Sequence, residues 1–191
     1  MLQAGRALPQ QALAILDALP AVDEAFMLGA WRGSGFDTGH PLDGVLPAYH
    51  WWGKRFDSAE HVHPLVFSTL TGGTVCLNPG WARPALPLIG RVPLPRSAAA
   101  GRVVQALLPL LATRRSGARL RMTVYRGVCS ATMVYDQLPI LDVFRRLDDD
   151  SVFAVMDLKG MAEPFFFMLR RQAPDTGGTR AIRAPWPQRG M

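Results

Sequence analysis

A chain of 191 residues, 49% hydrophobic and 19% charged, is long enough for one substantial core and too apolar for a disordered or collagen-like class. The formal charge of +6 comes almost wholly from arginine, since Lys54 and Lys159 are the only lysines. Two cysteines, Cys76 and Cys129, are too few for a disulfide framework and predict buried free thiols in a reducing cytoplasm.

The N-terminus lacks the charged, apolar and small-residue order of a secretory signal. The longest apolar run, Val103 to Ala112, is about half a membrane span, so a soluble protein is expected. Between Glu60 and Asp136 the chain has nine arginines and no acidic residue. That block predicts positive potential toward phosphate or carboxylate groups, with a solvated surface as the bland alternative. No specific nucleic-acid partner is expected, because the arginines are not interleaved with aromatics and no nucleic-acid-binding motif is present.

In chain order, residues 8 to 19 carry Leu8, Ala12, Ile15, Leu16 and Leu19 at helical spacing behind Pro9, and Pro20 ends the run. The helix is expected on the outside of a sheet, with plugging of a sheet end as the alternative. Gly29, Trp31, Gly33 and Gly35 share one face of the first strand: one large ring and otherwise bare backbone. Such a face suits a strand that curls tightly while a neighbour crosses close to it. Phe36 to Gly44 reads as loop. Ala48 to Phe56 reads as a second strand, and Pro64–Leu70 and Thr74–Leu77 as a hairpin turning at Thr71-Gly72-Gly73.

Five prolines make residues 79 to 96 an irregular connection. It leads to a helix from Ser97 to Arg115, capped by Ser97 and closed by Gly117, with Val103, Val104, Leu107, Leu108 and Leu111 as its apolar face and a kink at Pro109. Arg114 and Arg115 then fall at the negative end of its dipole. Five strand-like runs follow with short connections: Arg119–Tyr125, Val128–Tyr135, Pro139–Leu147, Val152–Lys159 and Phe165–Arg171. They predict an antiparallel meander. Residues 172–191 are expected to form a mobile tail, and 1–171 a single unit divided at 20–78, 79–117 and 118–171.

The stretches Gly29–Phe36, Thr38–Leu42 and Trp52–Phe56 resemble the GXWXG family. Tyr125–Gly127, Ala131–Asp136, Pro139-Ile140 and Met156–Gly160 resemble the domain of unknown function that usually follows it. More loosely, the Gly-x-Trp strand resembles calycins, the lipocalin and fatty-acid-binding barrels. In calycins that tryptophan closes one barrel end under an arginine of the last strand, a role the likeness offers to Arg170 or Arg171. The expected fold is therefore α+β and mainly antiparallel β: a calycin-like barrel with an N-terminal and a central helix. Gly29, Trp31, Gly33, Gly35 and Arg171 would form its closure.

Both faces of Phe165–Arg171 are apolar, as when one faces a lumen and the other a helix. The expected function is binding of a small hydrophobic molecule, a fatty acid or other anionic lipid, with Met133, Met156, Phe165 and Phe167 on its tail. Its head would meet Arg121 or Arg170, or His40 with Tyr135. Asp142 and Asp157 are expected to pair with Arg121, Arg145, Arg146 or Arg170, or else to converge in the pocket as acid and base. Alternatives are an acid–base enzyme using His40 or Asp142 with Tyr135, a haem-binding barrel, and a module dimerising through an open sheet edge. No catalytic residue is assigned. No cofactor or metal is expected, because His61-Val62-His63 lacks a third ligand. The arginine-tipped central helix is a candidate lid or transient contact with an anionic membrane.

Overall fold

The computed structural model describes residues 5–70, 72–88 and 95–173. Helices α1 (Pro9–Ala18) and α2 (Glu24–Met27) precede strand β1 (Gly29–Gly35). After α3 (Val45–Ala48) come β2 (Trp51–Phe56), β3 (Val62–Ser68) and β4 (Thr74–Cys76). A 3-10 segment, Pro79–Leu88, and helix α4 (Ala98–Leu111) lead to the meander of β5 (Ala118–Tyr125), β6 (Val128–Tyr135), β7 (Ile140–Arg146), β8 (Ser151–Leu158) and β9 (Phe165–Arg171). The expected hairpin turn at Thr71 and the tail from residue 174 onward lie outside the described residues.

The nine strands pair antiparallel with one another, in the order β2-β1-β9-β8-β7-β6-β5-β3-β4, and β2 also pairs with β3. Eight strands thus form a closed ring of hydrogen-bonded neighbours, with β4 attached to β3. The β3–β5 seam is a single residue pair, Val62 with Ala118, extended by bonds from Gly117 N to Val62 O and from Leu120 N to Ala59 O. Strand alternation sorts the apolar residues to two sides. Ala131, Met133, Ala154, Phe165 and Phe167 join the cluster inside the ring, whereas Phe153, Val155 and Phe166 pack outside beneath Ala12 and Leu16 of α1. The N-terminal helix is a cover and not a plug, and the double apolar face of β9 has the cause expected of it.

The ring is drawn shut around Trp31. Its indole N–H donates to Met27 O at 2.8 Å. Arg171, its cross-strand partner on β9, lies with its guanidinium carbon 4.3 Å from the indole centroid. The same guanidinium donates to Phe26 O (2.7 Å) and Leu28 O (2.9 Å), so the carbonyls that α2 leaves unpaired at its C-terminal end are met by β1 and β9 together. Gly33 is bare because a Cβ there would overlap the Trp51 ring, and Gly53, at φ +149°, because Trp31 O lies against it. A Cβ on Gly35 would meet open space, and nothing in the packing requires glycine there.

Several expectations are corrected. Helix α4 ends before Ala112, where the chain bridges to Leu77 and Thr113 N bonds Cys76 O, so Arg114 and Arg115 lie beyond the helix. Its buried side carries Gly101, Gln105 and Leu108, leaving Val103 and Leu107 exposed: Ala48 O presses on Gly101, and Gln105 donates to Ser68 O. The proline-rich connection is helical over Pro79–Leu88, and α3 replaces the expected start of β2. Cys129 is exposed and Cys76 only half-buried, both free. Gln172, assigned to the tail, still donates its backbone N–H to Ala30 O.

Arg171→Met removes the cation over the indole and two charge-assisted hydrogen bonds, and should cost about 2 to 4 kcal/mol of unfolding free energy in a urea titration. Arg171→Lys should recover less than half, because one ammonium cannot lie flat on the ring while meeting both carbonyls.

Candidate functional site

Inside the ring, under α3 and the 3-10 segment, lies a cavity of about 130 Å³. The strands supply Trp51, Leu65, Tyr135, Ile140, Met156, Leu158, Phe165 and Phe167, while Leu42, Leu46, Ala82 and Leu86 close it from outside the ring. One charged pair interrupts this apolar wall. Lys54 Nζ and Asp142 Oδ2 are 2.8 Å apart, with their side chains 4% and 1% exposed.

Lys54 faces inward from β2 and Asp142 from β7, between Ile140 and Phe144. The ammonium also donates to Pro64 O at 3.2 Å. Its remaining N–H has ring faces for company, with Phe167, Trp51 and Tyr135 centroids at 5.0, 5.7 and 5.8 Å. The Tyr135 hydroxyl stands 3.5 Å from Asp142 Oδ2. Burial raises the Asp142 carboxyl above its usual range, with Lys54 and Tyr135 pulling back, and drives the Tyr135 phenol well above 10. Two buried polar atoms on the lining residues, Asp142 Oδ1 and Trp51 Nε1, have no hydrogen-bond partner among the described residues.

Of the residues singled out from sequence, Tyr135, Asp142, Met156, Phe165 and Phe167 meet at this cavity. Met133 is fully buried in the surrounding core without lining it. His40 is buried beside the Phe165 ring, but lines a separate surface cleft with Asp37, Asp43 and Arg96. Its Nδ1 accepts from Leu42 N (3.1 Å) and its Nε2 faces Met161 Sδ (3.0 Å), so its contacts hold a loop.

Arg121 alternates with the inward Leu120 and faces Glu60 outside, 2.6 Å away. Arg170 alternates with the inward Leu169 and is exposed. The expected arginine partners of Asp142 are likewise elsewhere: Arg145 is buried against the carbonyls of Tyr125 and Phe144, and Arg146 pairs with Asp149. Lys54 and Trp51 were missed as site residues. The legible signal was a lysine within a run of aromatic residues, in a chain whose cations are otherwise nearly all arginine. None of the four histidines lines the cavity, and no group of three metal-ligating side chains occurs among the described residues.

These features define a mostly antiparallel α+β protein whose sheet closes on itself around an apolar cavity bearing one buried ion pair. Residues 14–72 match the GXWXG protein family and residues 116–171 match a domain of unknown function, DUF4334. The chain belongs to the GXWXG family, with that second domain following. A crystal structure of a protein from Thermomonospora curvata is 31% identical, with a TM-score of 0.65 over 90% of this chain and 93% of that one. No curated protein matches the sequence. Lys54 lies in the first family segment and Asp142 in the second, so the ion pair joins the two.

Removing one partner of this pair strands a buried charge. Lys54→Met or Asp142→Asn alone should cost about 3 to 5 kcal/mol in denaturant titrations, and Lys54→Met with Asp142→Leu should recover most of that loss. Burial holds the His40 and His63 rings below their ordinary 6.5, so the folded protein resists a proton that the unfolded chain accepts. Their stabilising share is complete above pH 6.5 and is lost as pH falls from there toward the folded values. Melting temperature should therefore drop on acidification from pH 7.5 to 5.5, less steeply in His40→Gln.

Proposed function

We propose that the closed sheet is a calycin-like barrel and that its interior binds a small hydrophobic ligand in the cytoplasm. The observation that carries this reading is the apolar cavity whose lining holds two polar atoms without a hydrogen-bond partner among the described residues, an acceptor on Asp142 and a donor on Trp51. Buried polar groups without partners are costly, and a ligand with a hydroxyl or carbonyl would relieve them. The cavity is close in size to those that admit benzene, about 150 Å³. A longer lipid tail requires Leu42, Leu46 and Leu86 to move aside.

The head-group chemistry follows from charge balance. Asp142 already neutralises Lys54, so the site favours an uncharged polar head. A fatty acid enters as a carboxylate only by taking the place of Asp142 at the ammonium, with Asp142 accepting a proton, which the raised affinity of that carboxyl assists. A second reading, acid–base chemistry on the same ligand, is favoured by the contact of Tyr135 and Asp142; His40, away from the cavity, has no part in it. Transient contact with an anionic membrane would use the exposed Val103, Leu107 and Leu110 of α4, with Arg102 exposed on the same helix.

Titration with 1-hexanol, read by tryptophan fluorescence and native mass spectrometry, should give saturable one-to-one binding that is indifferent to pH. Hexanoate should bind more tightly at pH 5.5 than at pH 8. Absence of saturable uptake of both compounds, or uptake unchanged when Met156→Phe fills the cavity, would remove the ligand-binding reading.

A further inference from the structure

We propose that Lys54 captures its ligand covalently, its amine condensing with the carbonyl of a small apolar aldehyde or ketone. The inference rests on the reading of the ring interior as a ligand site, and adds the chemical class of the ligand.

The choice of cation argues for it. The chain carries 21 cationic side chains, all arginine except Lys54 and Lys159. For an ion pair with a buried carboxylate, arginine is the stronger device, because its planar fork binds both oxygens. Here a lysine meets Asp142 Oδ2 and leaves Oδ1 without a partner among the described residues. What a lysine offers and a guanidinium does not is an amine that becomes a nucleophile once it gives up a proton. The base that takes this proton is already in contact, 2.8 Å away, and burial has raised its affinity for it.

The step balances without a co-reactant. The ammonium passes a proton to Asp142, and the neutral amine adds to the carbonyl carbon as the C=O π electrons move to oxygen. A second nitrogen proton shifts to that oxygen, giving a carbinolamine. Asp142 then returns its proton to the hydroxyl, which leaves as water while the nitrogen lone pair closes the C=N bond. Ammonium plus aldehyde has become iminium plus water. Charge is conserved at the nitrogen, so the Asp142 carboxylate and the faces of Phe167, Trp51 and Tyr135 stabilise the product as they did the lysine. Trp51 Nε1, which has no hydrogen-bond partner among the described residues, is the donor suited to the carbonyl oxygen during addition.

The test uses the full chain with benzaldehyde or hexanal and sodium cyanoborohydride at pH 7, followed by peptide mass mapping. Lys159, exposed on the surface, and the N-terminal amine serve as internal references. Lys54 should carry the reduced adduct in about tenfold excess over Lys159, as a nucleophile held beside a base would. 1-Hexanol should suppress the Lys54 adduct alone. Labelling of Lys159 and the N-terminus with Lys54 untouched, while 1-hexanol still binds, overturns the covalent step and leaves the ligand site standing. Failure of both adduct and alcohol binding overturns the two together.

Discussion

The contact between Lys54 and Asp142 constrains the molecule more tightly than its size suggests. Each group is nearly sealed from water, and an ion so placed is tolerable only while its counter-ion stays within hydrogen-bond distance. Because β2 and β7 are not neighbours in the sheet, the pair reaches across the ring interior, and the curvature of every intervening strand must keep these two atoms together. An apolar pair could fill the same space without that demand. The pair therefore fixes geometry across the ring interior, at a desolvation cost that an apolar pair would not carry.

Curvature is supplied on the β1–β2 side, the wall that carries Lys54. Gly33 admits the Trp51 ring against bare backbone, and Gly53 admits the Trp31 carbonyl. Trp51 is thereby placed over the cavity with its ring edge-on to Phe167, and Lys54, the residue after Gly53, is turned to the interior. Trp31 and Arg171 fasten β1 to β9 and both to the end of α2. The signature glycines and tryptophan thus act on the site from a distance: they set the path of β2, and β2 carries the lysine and the indole.

Much of this was legible in the sequence because alternation is local. The β5–β9 runs, the two-sided burial of Phe165 to Leu169, and the meeting of Tyr135 and Asp142 with Met156 and Phe167 follow from period-two patterns and short connections, whereas the arginine of the last strand over Trp31 was legible only through the likeness to calycins. What escaped depends on contacts between distant segments. Arginine partners are expected for Asp142, yet Arg121 and Arg170 alternate with inward residues and face outward, while register shifts in β2 turn both Trp51 and Lys54 to the interior. Helix α4 presents Gly101 and Gln105 to the protein beside Leu108 and Val104 of its expected apolar face, turning Val103 and Leu107 outward, because a close backbone approach needs the glycine and Ser68 O needs a donor. Proline density argued against regular structure over residues 79–88, but a fixed φ near −65° also suits 3-10 geometry.

The two family segments contribute β1–β3 and β5–β9, and neither closes the ring alone. They join on one side through β1 and β9, paired over five residues, and on the other through the single Val62–Ala118 pair. A seam with so few ladder bonds is held mainly by what packs behind it, which here is the interior cluster that surrounds the cavity. Filling the cavity with a ligand would add contacts to both segments at once, so occupancy and closure of the weak seam should reinforce each other. The cavity's position between the segments explains how one small site can depend on the entire circumference of the sheet.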